Sequence, residues 1–224
     1  PVLNLRLSID QPQGMVVVRL NDVAPDGTSW RTTYGMLNLS HRSDHEHVRT
    51  MTPGKEVTVH VKLNDCAHAF PAGHRIRVAI STSYFPVAWT APEAFSLSVR
   101  TGVSSLEMPV RAPRDEDARV ADFPPPEMAA MPETSVILAG EGSRHIERNV
   151  LTGEQVTRLV EDGGIYRLEE LDLECADGGK AEFRIVDGDP LSARGVWNWW
   201  SRRTRGDWDV GVTTKMEVTV SREA

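Results

Sequence analysis

Residues 56–63 read EVTVHVKL, with Val57, Val59, Val61 and Leu63 on every second position. Successive side chains of a strand point to opposite faces, so the run predicts a strand with one buried face. The same period of two returns in Arg75–Ser81, where Ile76, Val78 and Ile80 alternate with Arg75, Arg77 and Ala79, and again across Ser29–Leu39. Val2–Ile9 opens the chain as a strand with Val2, Leu3, Leu5, Leu7 and Ile9 apolar. Met15–Val23, MVVVRLNDV, is almost continuously apolar, as expected of a central strand covered on both faces. Phe95–Arg100 and Ser105–Pro109 complete a first series. No stretch carries a convincing helix period. Glu154–Asp162 comes nearest, but Thr152-Gly153 before it and Gly163-Gly164 after it favour a hairpin. Short alternating strands between turns predict an all-β fold, an antiparallel jelly-roll sandwich.

Turn chemistry punctuates the strands. In Ala24-Pro25-Asp26-Gly27, Pro fixes φ and Gly accepts a positive φ; Asp22, just before it, is expected to act as a turn-capping acceptor. Residues 111–132 change character: RAPRDEDARVADFPPPEMAAMP is rich in proline and charge and predicts an extended connector. The chain therefore divides into a sandwich over 1–110, a connector over 111–132 and a second antiparallel β-region over 133–224, separate or continuous with the first. In that region strands are expected at 135–138, 145–151, 155–161, 164–173, 180–186, 196–204 and 208–220, with Asp177-Gly178-Gly179 as a turn. Trp197, Trp199, Trp200 and Trp208 are expected to pack as cross-strand pairs. Arg202, Arg203 and Arg205 beside them predict a solvated turn.

Composition narrows the function. The 224 residues carry a formal net charge of -7, which argues against a general nucleic-acid binder, since phosphate recognition needs a basic face. No apolar run approaches the ~20 residues that span a bilayer, and no signal peptide opens the chain; a cytoplasmic location is the expectation. Cys66 and Cys175 lack zinc spacing and are expected as two buried, reduced thiols. The first residue is not Met and the last strand ends without a tail, the expectation for a piece of a longer polypeptide.

No GxSxG elbow, P-loop, GxGxxG or HExxH occurs in the sequence. The chain alone shows no catalytic set and requires no cofactor. His41, His45 and His47 beside Asp44 are the one constellation with metal-ligand chemistry. A polar loop ending at Thr52-Pro53-Gly54 is the preferred account of them, because Arg42 and Arg49 oppose a cation. After the strand at 75–81 comes a loop with Tyr84, Phe85 and Trp89 between prolines. Large apolar rings prefer burial, so the loop either folds over its own sandwich or packs against something outside the chain. The second is favoured. The same rings would also make a platform for a sugar, as in a free-standing carbohydrate-binding sandwich.

Three stretches, in order and spacing, resemble the C-terminal β-domain of the cocaine esterase and X-prolyl dipeptidyl-peptidase group of serine hydrolases. They are residues 17–27 (VVRLNDVAPDG), 34–39 (YGMLNL) and 73–81 (GHRIRVAIS) followed by Tyr84-Phe85-Pro86. The resemblance spans about Pro1 to Val110, and the tail from Thr134 is similar to the extra C-terminal portion of longer members. It implies a non-catalytic jelly roll of galactose-binding-like type that packs on the α/β-hydrolase catalytic domain of the same polypeptide, helps shape the pocket and contributes to homo-oligomer contacts. The family's Ser-Asp-His triad lies in that other domain, so no catalytic residue carries over. Tyr84, Phe85 and Trp89 become the candidates for the docking surface or pocket wall.

Overall fold

The computed structural model describes residues 1–119 and 123–221. It is built from antiparallel strands with a few single-turn 3-10 segments, and among the described residues no helix is long and apolar enough to cross a membrane. The chain divides into two compact units, the first being Pro1–Arg111 with Gly188–Leu191 and Ser221–Ala224, the second Ala112–Asp187 with Ser192–Val220.

In the first unit, β1 (Val2–Ile9) is the middle of a four-stranded sheet. It pairs with β4 (Val57–Lys62) along one edge, and with β6 (Leu97–Val99) and β7 (Ser105–Glu107) along the other. The second sheet has the order β3-β2-β5, with β2 (Met15–Val23) between β3 (Ser29–Asn38) and β5 (Arg75–Ser81). Alternation decides what fills the space between them. Leu3, Leu5, Leu7 and Ile9 of β1 meet Val16, Val18 and Leu20 of β2, with Val59, Val61 and Leu63 from the β4 side, in one core. Val16, Val17 and Val18 are all fully buried, so β2 is covered on both faces, as its unbroken apolar run requires.

Two glycines have distinct reasons to be there. Gly27 sits at φ +90 in the β2–β3 turn, where its amide donates to Ala24 and Asp26 caps the Thr28 amide. Gly35 instead serves a close approach: a Cβ there would lie 2.2 Å from the Lys62 carbonyl oxygen. The edges of the two sheets touch at this point, where the Asn64 amide donates to Tyr34.

The second unit holds a six-stranded sheet of order β13-β12-β11-β10-β8, with β9 also on β10. Its strands are β8 (Thr134–Leu138), β9 (Glu141–Arg148), β10 (Glu154–Leu168), β11 (Leu173–Val186), β12 (Asp189–Arg205) and β13 (Trp208–Thr219). Several strands are longer than the sequence suggests. Segments 155–161 and 164–173 are largely one strand, β10, interrupted by a bulge between Asp162 and Ile165 where Gly164 takes φ +72. Gly178 and Gly179 do not form a turn. They lie inside β11, because indole rings occupy the places their side chains would fill: Trp200 over Gly178 and Trp199 over Gly179.

The tryptophans are not paired with one another across the hairpin. Trp197, Trp199, Trp200 and Trp208 stand opposite Met216, Thr214, Thr213 and Arg205, and Trp197 packs edge-on against Phe183 instead. Nor are the arginines simply solvated, since Arg202 pairs with Asp209 and Arg203 with Asp177. Residues 123–133 are exposed and without regular structure, preceded by a 3-10 turn at Asp115–Arg119.

Candidate functional site: the decorated face of the first sandwich

Two loops flank β5 and decorate the β3-β2-β5 sheet. The loop before it carries His68, Phe70 and His74. The two histidines converge on Asp22, whose position continues the inward parity of Val16, Val18 and Leu20. A carboxylate at a core position is costly unless hydrogen-bonded, and Asp22 is: His68 Nε2 lies 2.8 Å from one oxygen and His74 Nδ1 2.7 Å from the other. The Asp22 side chain is 3% exposed, those of His68 and His74 33% and 19%. Burial opposes ionisation of Asp22, but hydrogen bonds and charge from the two imidazoles outweigh it and hold the carboxyl below its usual range. Phe70 packs edge-on against His68, centroids 4.8 Å apart.

Asp22 is therefore not a turn cap; Asp26 has that task. The missed signal was its parity: a charged residue in register with a buried stripe needs dedicated partners, and His74 directly precedes the neighbouring strand. Trp30 and Ile76 flank Asp22 in the ladder and remain exposed.

The loop after β5 turns back over the sheet's outer face. Tyr84 rests against Tyr34 with centroids 5.9 Å apart, and the Arg19 guanidinium lies 5.1 Å from its ring centre. Arg31 stacks on Tyr34 at 4.6 Å and donates to the Tyr84 hydroxyl. Phe85 and Trp89 contact each other edge-to-face at 5.5 Å. Phe85 and Trp89 are thus brought together while Tyr84 packs on Tyr34 instead; all three are half-buried, with Val87 at 52% exposure.

The histidines 41, 45 and 47 are arranged differently from a metal centre. The rings of His41 and His45 stack at 6.3 Å, and His47 is hydrogen-bonded to Asp44 through its ring and its amide. No group of three ligating side chains with metal geometry occurs among the described residues. Both cysteines are free; Cys175 is buried, but Cys66 is exposed in the His68 loop, against expectation.

In the first unit the described polar groups hold the two loops beside β5, Asp22 through His68 and His74 and Tyr84 through Arg31. Residues 1–114 match the model of the X-Pro dipeptidyl-peptidase C-terminal non-catalytic domain. The chain belongs to that family. Two solved structures show similarity. One is an aminopeptidase from the marine sediment archaeon Thaumarchaeota archaeon, at 26% identity and TM-score 0.40, covering 41% of this chain and 16% of that one. The other is an alpha-amino acid ester hydrolase, at 22% identity and TM-score 0.40, with the same shares of 41% and 16%. The chain thus spans about a sixth of the length of either structure. No curated protein matches. The family match gives no support to a free-standing carbohydrate-binding module.

Proposed function

We propose that this chain is the accessory β-domain of a serine hydrolase acting on acyl esters or X-prolyl dipeptides, packed on the α/β-hydrolase catalytic domain of the same polypeptide. The observation that carries the reading is the family match over residues 1–114. In the parent, nucleophilic acyl transfer through a triad and oxyanion hole belongs to the catalytic half, and this domain supplies a rigid wall. The Tyr84–Trp89 loop is the docking or pocket-wall surface. Its support is physical: Tyr84 is pinned by Arg19, Arg31 and Tyr34, so Phe85, Val87 and Trp89 are presented on an ordered base. A preorganised aromatic anchor loses little freedom on binding. Homo-oligomer contacts are a further role of the same domain in this proposal.

The test is hydrolysis of a p-nitrophenyl acyl ester by this chain alone and by the parent polypeptide. Turnover confined to the parent supports the reading; turnover by the 224 residues that survives repurification overturns it. Within the parent, Trp89→Ala is expected to lower kcat/KM roughly tenfold or more, in line with loss of an interface anchor. An unchanged value moves the docking surface elsewhere.

A further inference from the structure

β13 is the outer strand of the second unit's sheet. β12 pairs with it on one side, and among the described residues nothing pairs with it on the other. Its outward amides and carbonyls are therefore a template for a further strand. Sheet edges are usually guarded by short strands, proline, a bulge or charge. β13 runs for twelve residues, holds no proline and keeps an unbroken register with β12 from Trp208 to Thr219. Its faces differ sharply. Trp208, Val210, Val212 and Met216 alternate on one of them and are 46–59% exposed, while Asp209, Lys215 and Glu217 stand on the other. Exposed apolar side chains in a row favour association, because covering them removes apolar area from water.

Symmetry and charge select the occupant. Two copies of one strand pair antiparallel about a two-fold axis perpendicular to the sheet. Even positions then meet even positions and odd meet odd, so the apolar row continues on one side of the joined sheet. In the register centred on Val212, Asp209 of each copy stands opposite Lys215 of the other, and Trp208 opposite Met216. Each of these pairs forms twice. Centred on Thr213 instead, Asp209 would face Glu217. Centred on Gly211, it would face Thr213, with Trp208 on Thr214. Opposite charges directly across a ladder stabilise it and like charges do the reverse, so the Val212 register is favoured. Within one copy Asp209 already pairs with Arg202, and Lys215 Nζ lies 3.8 Å from Glu217. A second Lys215 would place Asp209 between two cations. The charges of β13 are thus complementary to β13 itself.

We propose that β13 pairs with β13 of a second copy, antiparallel and centred on Val212, joining the two six-stranded sheets into one. This rests on the homo-oligomer role proposed above and gives it a surface. Assembly is read without activity, so its failure leaves the hydrolase reading standing. The test is sedimentation equilibrium of the 224-residue chain, where a dimer with a dissociation constant on the order of micromolar is expected. Asp209→Lys and Lys215→Asp should each weaken it several-fold, and the two combined should restore it. Cysteine pairing fixes the register, in a Cys66→Ser background because Cys66 is exposed. Directly opposed Cα atoms lie about 4.5–5.5 Å apart, within disulfide reach, so Val212→Cys should cross-link two copies and Val210→Cys should not. A chain that stays monomeric at about 100 μM overturns the proposal. So does a dimer indifferent to both charge reversals, or one that Val210→Cys cross-links as readily as Val212→Cys. Hydrogen exchange that finds β13 amides protected in a monomeric parent polypeptide, but not in this chain alone, also overturns it by assigning the edge to another part of the parent. If a charge variant does not fold, the two cysteine variants decide by themselves.

Discussion

The two units are both antiparallel, yet they are held together in different ways. In the first, two sheets face one another across a core in which Leu5, Leu7, Val16, Val18, Val59 and Val61 are almost wholly buried. In the second, the only buried apolar residues among those described are Val156, Cys175 and Ala193, and long strands instead carry cross-strand ion pairs such as Arg158 with Glu147 and Glu182, and Arg184 with Glu154. Val136, Leu138, Ile146, Val210, Val212 and Met216 stay exposed there. Burial of apolar area is the main favourable term in folding, whereas an exposed ion pair contributes little. The same strand period thus supports a core-driven sandwich in one half and a ladder-driven sheet in the other.

Four substitutions test that contrast, the largest effect first. Leu7→Ala removes a fully buried side chain from the sandwich core and is expected to cost about 2–5 kcal/mol in chemical denaturation. A loss below ~1 kcal/mol, the level of a surface change, would mean the core is not what holds this unit. Gly35→Ala forces a methyl group against the Lys62 carbonyl where the sheets touch and is expected to cost about 1–3 kcal/mol. Hydrogen exchange should show β3 and β4 amides opening first.

Asp22→Asn keeps the shape but loses the charge between His68 and His74. A carboxyl whose pKa falls on folding contributes stability that is fully present above its unfolded value of 3.8 and is lost as pH drops through the lower folded value. The variant should therefore be less stable at neutral pH, with a flatter decline on acidification from about pH 5 downward. Parallel acid limbs for the two proteins would show that the carboxylate is not the linked group. The smallest effect is expected in the second unit. Arg184→Met breaks two partly exposed ion pairs, and after allowance for solvent screening its cost should stay below about 1 kcal/mol and shrink further in high salt. A loss comparable to that of Leu7→Ala would erase the distinction between the units.

Much of the first unit was legible because its strands bury one face, and burial writes a period of two into the sequence. Leu3, Leu5, Leu7 and Ile9, the unbroken run at Val16–Val18, and the turn at Pro25-Asp26-Gly27 all report local or single-strand requirements. The family resemblance, resting on the stretches at 17–27, 34–39 and 73–81, lies in this same half, and the match over 1–114 agrees with it. That Tyr84, Phe85 and Trp89 share one loop followed from their closeness in sequence. The folding of Tyr84 back onto Arg19, Tyr34 and Arg31 did not, because it depends on side chains from two other strands.

What the sequence by itself determined is the strand content, the faces of the first sandwich and the turns where a glycine at positive φ is required, since all of these follow from the backbone and from the next few residues. Tertiary structure alone decided where a residue type serves a distant neighbour. Gly178 and Gly179 look like a turn but make room for Trp200 and Trp199. Gly163 and Gly164 look like a hairpin end but bulge a continuous strand. Asp22 looks like a cap but bridges two histidines more than forty residues away. In each case a partner remote in sequence occupies the space or supplies the donors, and no local pattern names that partner.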